Sequence, residues 1–538
     1  MPRFATTAKA FGGPPRLSRR RFISLTSLAL LAGCSDADQP AGSPTPNDRT
    51  ATVVVAMSTG SEPAAGFDPI MGWGCGEHVH EPLIQSTLIT TNQEMEFVND
   101  LATGYSASDD GLTWSFTIRD DIEFSDGSPL TAADVAFTIN SLVASTGSTA
   151  DLTMVDSAVA LDPTHIEIRL NKPYNALLYT LAVVGIVPEA GYDANYGSQP
   201  IGSGRYLLEH WDPGQQAIFV ANPGYYGSAP SMERVVVLFM AEDAALAGVR
   251  SGQVDIAYTS AIYADQQIEG CELVSFASVD SRGISLPTVG NKVTADLAIR
   301  RAMNYALDRQ TMVSNVLAGH GSVAYSVADG MPWASPDMHV PFDRELAEQL
   351  LAEAGWVAGS QGTLEREGTA AEIDLYYPAN DSTRQALAFE FANQLATIGI
   401  KVNPLGKSWD EIYLHQYSDP VLWGWGSNSP SETYNLLHSQ GWGNFASYEN
   451  PAVDAHLDAA LANPVLEDSF AEWQAAHWDG TDGVGVQGGA TWVWLANIDH
   501  LYFARTGLRV ADQKPHPHGH GWSLVNNVDA WTWDQLPA

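Results

Sequence analysis

Basic residues are scarce in this chain. Across 538 residues, 26 Lys and Arg stand against 63 Asp and Glu, a formal net charge of −37 at pH 7. So acidic a surface argues against nucleic acid and against peripheral binding to anionic lipid. Catalytic signatures are missing as well: there is no HExxH, GxSxG, Walker loop or CxxC. Their absence from so long a chain favours binding over chemistry. Beyond the first 33 residues no apolar run reaches the roughly 20 residues that span a bilayer. Cysteine is limited to Cys34, Cys75 and Cys271. The last two are one candidate disulfide pair in an oxidising compartment.

What is present begins at the N-terminus. Residues 1–33 carry Arg3, Lys9, Arg16, Arg19, Arg20 and Arg21, no acid, and a short apolar stretch from Phe22 to Ala32. A basic region, a short apolar region and a small-residue cleavage site make a signal peptide. Ser18-Arg19-Arg20-Arg21-Phe22-Ile23 resembles the twin-arginine export signal, and Leu31-Ala32-Gly33-Cys34 resembles the bacterial lipobox. The expectation is cleavage before Cys34, lipidation there, and work at the extracytoplasmic face of the cell membrane. Residues 34–50 are Pro/Ser/Asp-rich and read as a flexible tether spanning about 20 Å.

The mature chain is long enough for two or more domains, and 45% hydrophobic content with 16 Trp supports large cores. Strand and helix signals alternate, so the class is α/β or α+β. Residues 114–118 (WSFTI) alternate with period two, as a half-buried strand does. Thr131 to Asp134 is a capping box ahead of a stripe of Val135, Ile139, Leu142 and Val143. Further helices are expected over 295–317, from Asp343 to Gly355, and over 382–398. TVVVA (52–56) and VVVLF (235–239) read as buried strands. A last strand is predicted over 523–528.

The run ATGYSASDDGLTWSFTIRDDIEFSDGSPLTAADVAF, residues 102–137, closely resembles the signature of extracellular solute-binding proteins of the peptide/nickel ABC importers. PIGSGRY (200–206), GQVDI (252–256), RRAMNYALDR (300–309), LLAEAGW (350–356), QLATIGIKV (394–402) and YENPAVD (448–454) fit in the family's order. The resemblance implies a two-lobed periplasmic-binding-protein fold of type II, with an extra subdomain in lobe I and two hinge strands. Lobe I is then 51–284 plus 500–538, and lobe II 285–499. It also implies a monomer without a tightly bound cofactor, serving an ABC permease and its ATPase, held at the membrane by its lipid anchor. The ligand is a small molecule captured between the lobes.

Which ligand rests on individual residues. Peptide-binding members hold the ligand's amine with an Asp after a Trp-rich segment; here that segment reads WGWGSNSPSE (423–432), with Glu432 the one acid. Two histidine clusters point elsewhere: His78 and His80, and His516, His518 and His520. Imidazole nitrogen is a good ligand for nickel, copper or zinc. By resemblance both clusters fall where nickel-binding members approach their ligand, so Ni²⁺ or a metal chelate is the favoured cargo and a short peptide the alternative. Met331, Met338 and Cys75 are softer additions. The arginines with which nickel-binding members clamp a chelate are absent near 183–188. Trp73, Trp423, Trp425, Trp442 and Trp522 are candidate cleft walls. Ligand sensing and a secreted enzyme on the same fold stand as the other classes.

Overall fold

Three larger sheets organise the chain, and two of them are joined by only two short passages of backbone. The computed structural model describes residues 51–534, apart from 74–79, 146–149, 337, 360–361 and 520. The expected Val-rich strand is Thr52–Met57, buried almost throughout. It lies inside a seven-stranded sheet, parallel to Arg234–Phe239 on one side and to Ile256–Thr259 on the other. Burial on both faces is why this strand reads as a continuous apolar run. His500–Arg505, far away in sequence, pairs antiparallel with Ile256–Thr259 and with Cys271–Phe276. Both ends of the chain therefore build this sheet.

A six-stranded sheet holds Ser281–Ser285, Val421–Trp425 and Trp492–Ile498 as adjoining, wholly buried strands. The chain enters it through residues 277–280 and leaves it through Asp499. A four-stranded antiparallel sheet with helix Ala132–Ala144 forms an appended layer. That helix opens on the expected capping box, with Asp134 Oδ2 accepting the Thr131 N–H at 2.8 Å. The layer shares its core with helices Pro451–Ala462 and Phe470–His477, where Tyr174 and Leu177 join Leu457 and Trp473. Asn175 pins that contact, donating from Nδ2 to the Ala460 carbonyl at 2.7 Å and from its backbone N–H to the Leu461 carbonyl at 3.1 Å.

Two expected elements differ. The single helix over 295–317 is two, Leu297–Tyr305 and Arg309–Val316, because Asp308 caps the second with its carboxylate on the Thr311 N–H at 2.9 Å. The expected strand over 523–528 is a 3-10 helical run, Trp522–Ala530. Gly521, at φ 109°, turns the chain into it, and Trp522, Leu524, Val525 and Val528 face the core at helical rather than alternating spacing. Among the described residues, no helix is long and apolar enough to cross a membrane.

Candidate functional site

A cavity of about 490 Å³ opens between the six-stranded sheet and the rest of the molecule. One wall is a single stretch, residues 425–442, at the end of strand Val421–Trp425. The chain there turns through Gly426 into helix Pro430–Leu437, capped by Ser429 with Pro430 in its first turn. Gly426 has φ +147°, and a Cβ on it would lie 1.9 Å from the Val279 carbonyl oxygen. That close approach to the first inter-sheet passage requires glycine.

The helix start delivers Glu432 to the cavity. Its Oε1 accepts the Gly426 N–H at 2.8 Å, the one hydrogen bond it makes among the described residues. Burial pushes its pKa up to about 8, with the charge of Asp280 adding to the effect. A carboxyl group in this setting is mostly protonated at neutral pH and ionises when a cation arrives beside it. Beside it, Trp442 is 49% exposed and lines the cavity, set edge-on against Trp425 with centroids 5.6 Å apart.

The opposite wall is assembled from residues distant in sequence. His80 is buried, and its Nε2 has no hydrogen-bond partner among the described residues. Burial, reinforced by His518 and His500, lowers its pKa to about 4, so the ring is neutral. Lys514 forms an ion pair with Glu81 and donates to Thr91 Oγ1 at 2.9 Å. Both residues of this pair also line an annex of about 300 Å³, where Arg205 is bonded to Asp529 at 2.6 Å. His518 completes the wall, with Nδ1 2.5 Å from Asp280 Oδ1.

Behind His518, the Asp280 carboxylate also pairs with Arg282 and faces His500 Nε2 at 3.1 Å. Against the cost of burial, the Arg282 guanidinium, together with hydrogen bonds from His518 and His500, holds Asp280 well below the usual carboxylate range. The result is a buried ionic cluster at the passage between the sheets.

A family model of bacterial extracellular solute-binding proteins, family 5, matches residues 96–447. Protein XP55 of Streptomyces lividans is 34% identical over 500 residues, covering 88% of this chain and 89% of the relative. The chain belongs to the family-5 solute-binding proteins. Among solved structures, NikZ from Campylobacter jejuni in complex with Ni(L-His) superposes with a TM-score of 0.75 at 24% identity, covering 90% of this chain and 99% of that one. The oligopeptide-binding protein AppA from Bacillus subtilis, in complex with a nonapeptide, gives 0.71 at 21%, covering 90% and 99%. These likenesses show the two-lobed fold. As a family-5 member, the chain is the solute-binding component of an ABC importer.

For this family-5 protein the expected site residues fall into three groups. His80, His518, Trp425 and Trp442 line the cavity. His516 does not: it is fully buried, its Nδ1 3.0 Å from His500 Nδ1 and its Nε2 3.1 Å from Gln513 Oε1. With both ring nitrogens engaged inside the protein, it is unavailable to a ligand. Trp73, Trp423 and Trp522 are core, not cleft. Trp73 and Trp522 pack edge-on at 4.9 Å, and Trp423 stacks on Phe445 at 4.2 Å. Trp73 still bears on the site, since its Nε1 donates to the His80 carbonyl at 2.9 Å. Met331 is also core, and Met338 does not line the cavity. Cys34, Cys75, His78 and His520 lie outside the described residues.

No group of three or more His, Cys, Asp or Glu fit to hold a metal ion occurs among the described residues. His80 and His518 are the two expected histidines that line the cavity. Lys514, Asp280 and His500 were not signalled by any motif. The one available hint was compositional, since Lys514 is among only five lysines after residue 33.

Proposed function

We propose that this importer subunit carries a ligand bearing a primary ammonium, a short peptide or peptide-like amine, whose charged end is received by Glu432. The carrying observation is the carboxyl group in the cavity wall, buried and, among the described residues, satisfied by the Gly426 N–H alone. An ammonium is the partner that makes ionisation of such a group favourable. Trp442 offers an exposed ring to the same ligand, and AppA, whose fold this chain shares, was solved with a nonapeptide.

A metal chelate is the second reading, favoured by His80, a neutral imidazole that lines the same cavity as His518 and whose Nε2 has no hydrogen-bond partner among the described residues. NikZ, with the same fold, was solved with Ni(L-His). Calorimetry on empty protein separates the two. A pool of di- to pentapeptides is expected to bind, and Glu432→Gln to weaken that binding about 100-fold while His80→Ala leaves most of it. Binding confined to Ni²⁺ with L-histidine, and lost in His80→Ala, would replace the peptide reading with the chelate one.

The same reading takes the protein to be a monomer, exported by its twin-arginine-type signal and anchored through a diacylated Cys34. Its lobes divide near residues 280 and 499 and close on ligand. Metabolic labelling with palmitate tests the anchor. Cys34→Ser should abolish label and release the protein from membranes, whereas retained label rejects it.

A further inference from the structure

Two passages of backbone join the seven- and six-stranded sheets, but a third segment runs beside them. Residue 516 forms an isolated parallel bridge with Ser278. The His516 N–H donates to the Ala277 carbonyl at 3.2 Å, and the Val279 N–H donates to the His516 carbonyl at 2.9 Å. Residues around 516 thus lie against the first passage as a short extra strand.

The two ends of that segment are fixed to different sides of the cavity. At its start, Lys514 is tied to Glu81 and Thr91, on the wall that the six-stranded sheet does not supply. At its end, the His518 N–H donates to the Gly426 carbonyl at 2.7 Å, in the turn that carries the Glu432 wall. The His518 ring then returns to Asp280, in the first passage, at 2.5 Å. Asp280 in turn faces His500, the first residue after the second passage, and His500 meets His516 at 3.0 Å. Lys514, Pro517 and His518 also line the cavity.

We propose that residues Lys514–His518 are a third connection between the lobes, a strap that ties both cavity walls to the hinge through Asp280. On this reading Asp280, which does not line the cavity, is a positioning residue for His518. The strap holds the lobes together in the empty protein, whichever ligand class the cavity takes. A hinge of two bare passages is free to swing, whereas one clasped by a third segment opens only when bonds at 277–279 and 426 are released together.

Hydrogen exchange followed by mass spectrometry, with solution scattering, tests this on the empty mature protein. Among the described residues the Lys514 ammonium bonds Glu81 and Thr91 and neither passage, so Lys514→Met leaves the bonds at 277–279 themselves intact. In Lys514→Met and in His518→Gln, exchange over 277–280 and 514–518 is expected to accelerate about tenfold or more. Protection of strands Thr52–Met57 and Glu372–Pro378, deep in the two sheets, is expected to stay unchanged, and the radius of gyration to rise. Unchanged exchange at 277–280 in both variants, with an unchanged radius, overturns the strap. Acceleration spread equally over both sheets reports general unfolding and overturns it as well.

Discussion

The two walls of the cavity are built in opposite ways. The wall that carries Glu432 is one continuous stretch, residues 425–442, set at the end of a buried strand and the start of a helix. The wall facing it gathers His80, Lys514 and His518 from opposite ends of the chain. The first offers a carboxyl group, the second imidazoles and an ammonium already matched to Glu81. A local wall can be retuned by changing one loop, whereas the assembled wall is locked to the hinge behind it. The acid wall is therefore the place to look for selectivity, and the basic wall the place to look for stability.

Asp280→Asn should break that division most severely. Removing the carboxylate takes the ion pair from the buried Arg282 guanidinium and the charged acceptor from His500 and His518, at a cost of about 3–5 kcal/mol, read by denaturant unfolding. A loss below about 1 kcal/mol would show that the assembled wall does not rest on this cluster.

Glu432→Gln should do the reverse, reducing affinity for amine ligands by about 100-fold, the size of a lost charge-assisted bond. It should also raise the thermal midpoint at pH 8 and leave it unchanged at pH 4. The sign follows from a folded pKa of about 8 against an ordinary 4.5. The protonated folded group costs nothing at low pH, and stability is lost as pH rises through that window.

The same titration governs binding. An ammonium ionises Glu432 on arrival, so binding releases a proton below pH 8. Peptide affinity should fall about tenfold per unit on acidification from there, and the calorimetric enthalpy should vary with buffer ionisation heat. Binding that is independent of pH between 6 and 8 would remove Glu432 as the receiver. The smallest effect is expected for Trp442→Ala: about a fivefold loss of affinity, consistent with one aromatic contact, and no change in unfolding, since the ring is half exposed.

How much of this the sequence reveals follows the same division. Helix starts at Thr131, Asp343 and Asp381 are local chemistry, a side chain satisfying backbone N–H groups nearby, and each forms where its residues predict. The Trp-rich stretch ending at Glu432 is local in the same sense. The histidines are not. His516 and His518 stand two residues apart in a run of alternating His, yet one is sealed against His500 and Gln513 while the other lines the cavity. Nothing within the run separates them, because the difference is set by Asp280 and His500, more than 230 and about 16 residues away. The indoles behave alike: composition marks Trp73 and Trp442 equally, and only packing sends one into the core and the other to the rim.

The seven-stranded sheet has one more consequence, for the order in which the protein comes into being. Its strand Thr52–Met57 leaves the ribosome among the first, but His500–Arg505, which joins Cys271–Phe276 to the rest, is among the last. Until translation is nearly finished, Ile256–Thr259 is an open edge and Cys271–Phe276 has nothing to pair with. The six-stranded sheet also waits for Trp492–Ile498, the strand between Ser281–Ser285 and Gly321–Val323. Neither half can mature ahead of the other, so a chain truncated before residue 492 should be an aggregating fragment, not a smaller binding protein.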